Sequence, residues 1–471
     1  MSSESNLSSD SHADVVSMSE KCSSDDVTPR RDRTQTSIAI VGMGCRLPGH
    51  SNSPTALWDL LERGGVSKNE PPPSRFSLAG HYDKDNPGRP RTMKSPGGMF
   101  IEDVDPALFD GQFFNISHAE CVAMDPQQRQ LLEVAYECLE NSGCPMEKLS
   151  GSKTGVVVGT NFVDYGAIQH RDPENRAESV MIGLAPALLS GRVSHFLNIH
   201  GPSMTVDTAC SAGLVSLDVA CRYLDTFQAD AMLVGGANLW LGPEHNEEIG
   251  MMHVAQSGSG LSKSFDSSAD GYIKAEGVNC FFLKRLDDAV ANGDPIRAII
   301  RGTAVNASGR TNGIANPSSD AQAAVTRQAM KNAGIEDQDF AKTRYLEAHG
   351  TGTLAGDPIE ARGAASVFSK SREVNQELVI GSIKSNIGHS EPAAGLSGLL
   401  KATIVVEKGI IPGTPTFVSP NPNIDWKGLR LKASRMSMSW PKVDADNIRR
   451  AGVNSFGFGG MFKSTTTVGY S

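Results

Sequence analysis

Residues 206–217 read VDTACSAGLVSL. A β-prone run, SMTVDTA (203–209), ends at Ala209, and a helix-compatible apolar stretch, 211–227, starts at Ser211. Cys210 therefore falls at a strand-to-helix turn. A thiol at the first turn of a helix meets the positive end of the helix macrodipole, which favours the thiolate. Its small neighbours Ala209, Ser211, Ala212 and Gly213 leave room for another backbone to approach. Taken alone, the stretch fits a small buried thiol slightly better than a nucleophile. Such a turn needs partners before it means catalysis.

The same alternation recurs along the chain. Strands are expected at SIAIV (37–41), TGVVVGT (154–160), AMLVGGAN (231–238), CFFLKRL (280–286), PIRAIIRGTAVN (295–306), TRYLEAHG (343–350) and ELVIGSI (377–383). Helices are expected at 186–198, 320–334, 359–369 and 393–408. A further helix is DPQQRQLLEVAYECLENSG (125–143). Asp125 suits its cap and Pro126 its first turn. Leu131, Leu132, Ala135, Tyr136 and Leu139 form its apolar stripe, and Gly143 closes it. Strand–helix alternation with glycine-rich strand ends predicts an α/β fold with a mixed or parallel sheet. SIAIVGMG and IRAIIRGTAVN each open a strand–helix series, which leaves a duplicated fold open.

At 471 residues and 39% hydrophobic, the chain can bury a large core. Its net charge of −9 does not advertise nucleic acid or an anionic membrane as a partner. No apolar run is long enough to span a membrane. The eight cysteines are scattered without a CxxC pair, so reduced thiols are expected in place of a disulfide framework or a zinc site. Residues 1–35 are rich in Ser and acidic residues and nearly devoid of apolar ones, and disorder is expected there. That composition fits neither a secretory signal nor a mitochondrial transit peptide, so a cytoplasmic protein is expected.

Partners for Cys210 lie downstream. LEAHGTGTLAGDPIE (346–360) ends a strand at His349 and enters a Gly/Thr loop. KSNIGHSEPAAG (384–395) places Lys384 and His389 where a strand gives way to a Gly-rich loop. One such histidine would read as a turn residue with satisfied hydrogen bonds. Two of them, with a cysteine elbow, turn the reading to catalysis. A Cys–His–Asn hydrolase needs one base and an orienting amide. Paired imidazoles on separate loops suit N–H donors to a thioester carbonyl that becomes an enolate.

DTACSAG, EAHGTGT and KSNIGHSEPAAG, in that order and spacing, resemble the β-ketoacyl synthase (ketosynthase) family. VGMGCRLPG, MDPQQRQLLEVAYECLE, FDSSADGYIKAEG and AGVNSFGFGG are similar to its polyketide-synthase branch. The likeness covers about residues 36–460. GGMFIEDVDPALFDGQFFNIS and the near-N-terminal start resemble the fungal highly reducing class. The resemblance implies a thiolase-like fold of duplicated βαβαβ halves in α-β-α-β-α layers. It places the nucleophile in 36–290 and the two histidine loops in 291–460.

By resemblance, Cys210 accepts the acyl chain from the phosphopantetheine of an acyl carrier protein or domain. His349 and His389 bind the malonyl thioester carbonyl and promote loss of carbon dioxide. The backbone N–H groups of Cys210 and Phe458 form the oxyanion hole. Lys384 pairs with Glu360 as site electrostatics, and Thr351 and Thr353 hold the pantetheine arm. A homodimer with no metal, no bound cofactor, no nucleic acid and no membrane partner is implied.

Departures from the family pattern are Ala275 for a glycine, Ser308 for an aspartate and His118 for a frequent proline. The tail departs most. After GFGG the chain reads MFKSTTTVGYS, where the family continues Thr-Asn-Ala-His and an apolar strand. TTTVG is β-prone but lacks the apolar run of a buried strand. Gly460-Met461-Phe462 can be encoded as GGTATGTTT, which contains the splice-donor sequence GTATGT. Residues 461–471 are thus expected to be intron read-through of a longer synthase, or else the degenerate end of a free-standing ketosynthase. The rival reading is an inactive fragment or partner subunit, against which Cys210 and both histidines stand. Thiolase-type chemistry is disfavoured because no cysteine follows Cys280.

Overall fold

The apolar, glycine-ended runs become the strands of one eleven-stranded sheet. The computed structural model describes residues 36–468, except 69, 88, 91, 162–163, 173, 175–176, 251–254 and 442–447, and for 461–468 the backbone alone. The Ser-rich segment 1–35 lies outside the described residues. The strands are β1 (Ile38–Arg46), β2 (Thr154–Gly159), β3 (Ser203–Val206), β4 (Ala231–Asn238), β5 (Gly277–Arg285), β6 (Ala298–Ala307), β7 (Thr343–Glu347) and β8 (Leu378–Gly381). They continue with β9 (Ile410–Ile411), β10 (Leu431–Lys432), β11 (Met438–Ser439), β12 (Arg450–Gly457) and β13 (Met461–Val468). β9 and β11 form a separate two-stranded ladder.

The sheet order β10-β8-β7-β12-β13-β6-β1-β5-β4-β2-β3 contains one pattern twice. In the first half β2 lies parallel to β3 and β4, β4 antiparallel to β5, and β5 antiparallel to β1. In the second, β7 lies parallel to β8 and β12, β12 antiparallel to β13, and β13 antiparallel to β6. The copies join where β1 pairs antiparallel with β6. This is the duplicated, thiolase-like architecture.

Equivalent helices follow β3 and β8. Ala212–Asp225 and Ala394–Lys408 pack on each other and on strands of both halves. Ala394–Lys408 is buried from Ala394 through Val406, as a helix that is apolar around most of its circumference must be. Together they organise the central apolar cluster, which includes Leu214, Leu217, Leu396 and Leu400. Pro126–Ser142 covers the first half from outside, while Ser319–Asn332 and Gly356–Phe368 cover the second. Asp125 caps Pro126–Ser142 by accepting from the Gln127 N–H, and Gly143 ends it at φ 66.

The tail differs from its expectation. Met461–Val468 fills the slot between β12 and β6, antiparallel to both. A strand flanked on two sides completes two hydrogen-bond ladders, and threonine and valine suit a pleated backbone. Backbone pairing places this segment without the apolar run that the sequence reading required.

Candidate active site

Cys210 stands in a tight turn between β3 and Ala212–Asp225. Asp207 Oδ1 accepts the Ala209 N–H at 2.9 Å, and Ala209 adopts a left-handed φ of 52°. Ser455 Oγ on β12 donates to the Cys210 carbonyl at 2.8 Å, which ties the turn to the other half. Gly213 is required here, because a Cβ would lie 2.7 Å from the Pro392 carbonyl oxygen.

His349 follows β7. Glu360, on Gly356–Phe368, accepts the His349 and Gly350 backbone N–H groups at 2.8 Å each. His349 Nδ1 accepts the Phe456 N–H at 3.3 Å. His389 follows β8 through a short turn that ends at Gly388, φ 75. Its backbone N–H donates to the Ile273 carbonyl at 2.8 Å, and its carbonyl accepts from Ala275 at 2.9 Å. His389 Nδ1 accepts the Glu391 N–H at 3.2 Å. A neutral imidazole carries one proton, so an Nδ1 that accepts leaves the proton on Nε2. Both rings therefore hold the Nε2–H tautomer. Their centroids lie 5.3 Å apart, with ring planes at 87°.

A cavity of about 750 Å³ gathers Cys210, His349, His389, Thr351, Thr353 and Phe458 on one wall system. Glu360 also reaches it. The Phe458 N–H faces the Cys210 sulfur. The loop behind Phe458 turns on Gly459 and Gly460, at φ 87 and 82, and Ser308 N–H donates to the Gly460 carbonyl at 2.7 Å. Ser308 thus docks the GFGG loop, a role not visible in the sequence. Thr351 and Thr353 hydroxyls lie 3.3 Å apart, and Thr353 Oγ1 also accepts the Gly356 N–H. Among the described residues no group of three or more His, Cys, Asp or Glu could hold a metal ion.

Electrostatics differ from two expectations. Cys210 lies at a helix start, but its thiol is pushed up to about 12. Burial is the main cause and the Glu391 carboxylate the second, and they outweigh the Phe458 N–H and Lys384, which act the other way. Cys210 is only half-buried on the cavity wall, yet desolvation still defeats the helix end, because removing a thiolate from water costs more than a partial dipole charge returns. Lys384 is buried behind the cavity wall, and among the described residues no ion pair joins it to Glu360. The Glu360 carboxylate serves backbone N–H groups instead. Lys384 is held below its usual range by burial, against the pull of Glu347 and Glu360. Burial and Lys384 push both His349 and His389 well below the usual histidine range. Both rings stay neutral.

The sequence reading missed Lys274, Tyr272 and Glu391. Tyr272 meets the His389 ring edge-on at 4.9 Å. Glu391 lines the cavity and pairs with Lys274 at 3.6 Å. The available signal was charged residues inside two otherwise apolar, small-residue motifs, YIKAEG and HSEPAAG.

Chemically, the cavity offers one thiol and two sets of N–H donors. The Cys210 and Phe458 backbone N–H groups lie beside the sulfur. The two imidazoles, each with Nδ1 taken by a backbone N–H, supply Nε2–H groups.

Residues 35–289 match the Beta-ketoacyl synthase, N-terminal domain family, and residues 297–418 match the Beta-ketoacyl synthase, C-terminal domain family. A highly reducing polyketide synthase of Eupenicillium brefeldianum is 59% identical over 437 residues, which is 92% of this chain and 18% of that protein. The lovastatin diketide synthase of Aspergillus terreus is 44% identical over 90% of this chain and 16% of its own length. The chain thus spans less than a fifth of these relatives. Among solved structures, the ketosynthase from module 6 of the bacillaene synthase of Bacillus subtilis 168 superposes with TM-score 0.83 at 33% identity, covering 92% of this chain and 72% of that one. The chain belongs to the β-ketoacyl synthase family.

Proposed function

We propose that this chain is the condensing unit of a highly reducing polyketide synthase, joining an acyl group held on Cys210 to a malonyl thioester with loss of carbon dioxide. The observation that carries this reading is the pair of histidines. Each has Nδ1 occupied by a backbone N–H, and each shares the cavity with Cys210 as an Nε2–H donor.

The steps balance as follows. Cys210 attacks an acyl thioester on a carrier phosphopantetheine, and its thiol proton passes to the departing pantetheine thiolate. The N–H groups of Cys210 and Phe458 hold the tetrahedral oxygen. The malonyl thioester then enters with its carbonyl oxygen between His349 and His389. Breaking the bond to the carboxylate releases carbon dioxide and leaves an enolate on that oxygen. Neutral N–H donors suit this oxygen, since they stabilise the charge without protonating it. The enolate carbon attacks the acyl carbonyl on Cys210. Expulsion of the Cys210 thiolate, which takes from water the one proton that loss of the carboxylate as carbon dioxide consumes, yields a 3-oxoacyl thioester two carbons longer. Thr351 and Thr353 hold the pantetheine arm, while Lys384 and Glu360 set the field and the backbone around His349.

The catalytic roles fall one to each half, with the nucleophile before residue 290 and the histidines after it. The working form is a cytoplasmic homodimer served by a carrier protein or domain. Support for the dimer comes from β3, a terminal strand of the described sheet. Leu188–Phe196 packs on β3, and the short helices next to it expose Val122, Met181 and Ile182, with Met181 82% exposed.

Mass spectrometry of the purified chain with an acyl thioester tests the reading. Acyl mass on wild type but not on Cys210→Ala, with release of carbon dioxide from a malonyl thioester, supports it. A folded wild type that neither acylates nor decarboxylates overturns it in favour of an inactive partner subunit.

A further inference from the structure

Glu391 is a buried carboxylate on the cavity wall that the condensation scheme does not use. Its backbone is unusual. Its φ of 46° is left-handed, a region that favours glycine, and Pro392 follows and restricts it further. That conformation turns the Glu391 N–H back onto His389 Nδ1, two residues earlier. A non-glycine residue stays in such a well only when its surroundings over-determine it.

The surroundings here centre on one neighbour. Lys274 Nζ lies 3.6 Å from Glu391 Oε2, and the two side chains are 2% and 3% exposed. Lys274 also lies over the Trp240 ring, at 5.3 Å from its centroid. Trp240 stacks on Phe100 and packs on Phe76, so the lysine stem rests on a fixed aromatic wall. The flanking residues of Lys274 are the ones that grip His389, through the Ile273 carbonyl and the Ala275 N–H. One short segment therefore holds His389 twice, by backbone on one side and through the Lys274–Glu391 pair on the other.

We propose that Lys274 and Glu391 form a positioning pair that locks the turn after His389, so that His389 presents Nε2–H to the malonyl thioester. This rests on the condensation reading for its consequence in activity, though not for its effect on the histidine tautomer. The glutamate carboxylate anchors the turn, and its own N–H performs the positioning. Without the anchor the turn relaxes toward ordinary φ values and Nδ1 loses its donor. The proton then distributes between the two ring nitrogens.

The experiment uses the full chain with 15N-labelled histidine, and Lys274→Met, Lys274→Arg and the double variant Lys274→Met with Glu391→Gln. Losing one charge orphans the other in a buried place, so the double variant serves where the single one fails to fold. His389 resonances are assigned by their loss in His389→Ala. Wild type should show an Nε2–H imidazole. Lys274→Met and the double variant should show both tautomers in exchange, and Lys274→Arg should keep the wild-type signature. Decarboxylation of a malonyl thioester should fall about tenfold to a hundredfold in Lys274→Met, a larger loss than in the acylation rate of Cys210, whose thiol the Glu391 carboxylate also faces. Lys274→Arg should restore decarboxylation. An unchanged His389 signature in both charge-removing variants overturns the proposal. So does an equal loss in both half-reactions, or a failure of arginine to restore. A wild type inert in both half-reactions defeats the condensation reading, and the tautomer signatures then still decide the pair.

Discussion

Two strand-to-helix junctions occupy the same place in the two halves and take different parts in the proposed condensation. β3 leads through Cys210 into Ala212–Asp225, and β8 leads through His389 into Ala394–Lys408. At the first, a single left-handed residue, Ala209, precedes the nucleophile, and the helix starts two residues after it. At the second, left-handed Gly388 and Glu391 bracket the histidine, and the helix starts five residues after it. The first junction projects its reactive atom from a helix start. The second withdraws the side chain from its helix and clamps it to a neighbouring segment. A nucleophile must move onto carbon, whereas a hydrogen-bond donor must hold its direction. Duplication supplies a symmetric frame, and a few φ angles make the site asymmetric.

The largest test separates the two junctions by half-reaction. Cys210→Ala should lower acyl transfer by on the order of 10⁴-fold or more while leaving malonyl decarboxylation measurable. His389→Ala and His349→Ala should each slow decarboxylation by about 10²- to 10³-fold, as loss of one oxyanion donor does. Their acylation rates should remain near wild type. A histidine variant that loses acylation as strongly as decarboxylation would remove the division of labour between the junctions.

Next in size is pH. The Cys210 thiol, held up at about 12, is protonated through the neutral range. Only the thiolate reacts with iodoacetamide, so the rate should climb about tenfold per pH unit from pH 7 to 10 without levelling near an ordinary thiol pKa. The histidines shift in the opposite sense. Burial holds them well below their usual range, so they stay neutral as pH falls through 6.5. Decarboxylation should accordingly stay flat between pH 6 and 8, measured as carbon dioxide release. A thiol titration midpoint near 8.5 would show that the helix end governs Cys210 after all.

The sequence resolved these junctions unevenly, for physical reasons. The helix at 211–227 was legible to within two residues, since apolar periodicity and small capping residues are local. The three side chains brought into one cavity were legible as motifs because each sits where a strand ends. The thiol's resting state was not, because desolvation depends on distant chain packed around Cys210. Nor was the separation of Lys384 from Glu360, since two backbone N–H groups claim the carboxylate. β13 failed for a related reason. Side-chain hydrophobicity says little about a segment that two neighbouring strands pair on both edges.

The finest test lies where the two helices touch. Gly213 and Gly395 stand near corresponding helix starts, and each meets the opposite junction. A Cβ on Gly213 would lie 2.7 Å from the Pro392 carbonyl oxygen, while one on Gly395 would lie 2.7 Å from Leu214 Cγ. The distances are the same and the obstacles differ. A side chain can change rotamer, but the Pro392 backbone lies in the turn that also orients His389. Overpacking costs about 1–3 kcal/mol, so Gly213→Ala should fall at the upper end and Gly395→Ala at the lower. Denaturant unfolding monitored by Trp fluorescence measures both. The asymmetry should reappear in catalysis, with Gly213→Ala slowing decarboxylation more than Gly395→Ala does. Equal costs would mean that the Pro392 turn yields as readily as a leucine side chain, and the rigid second junction would lose its support.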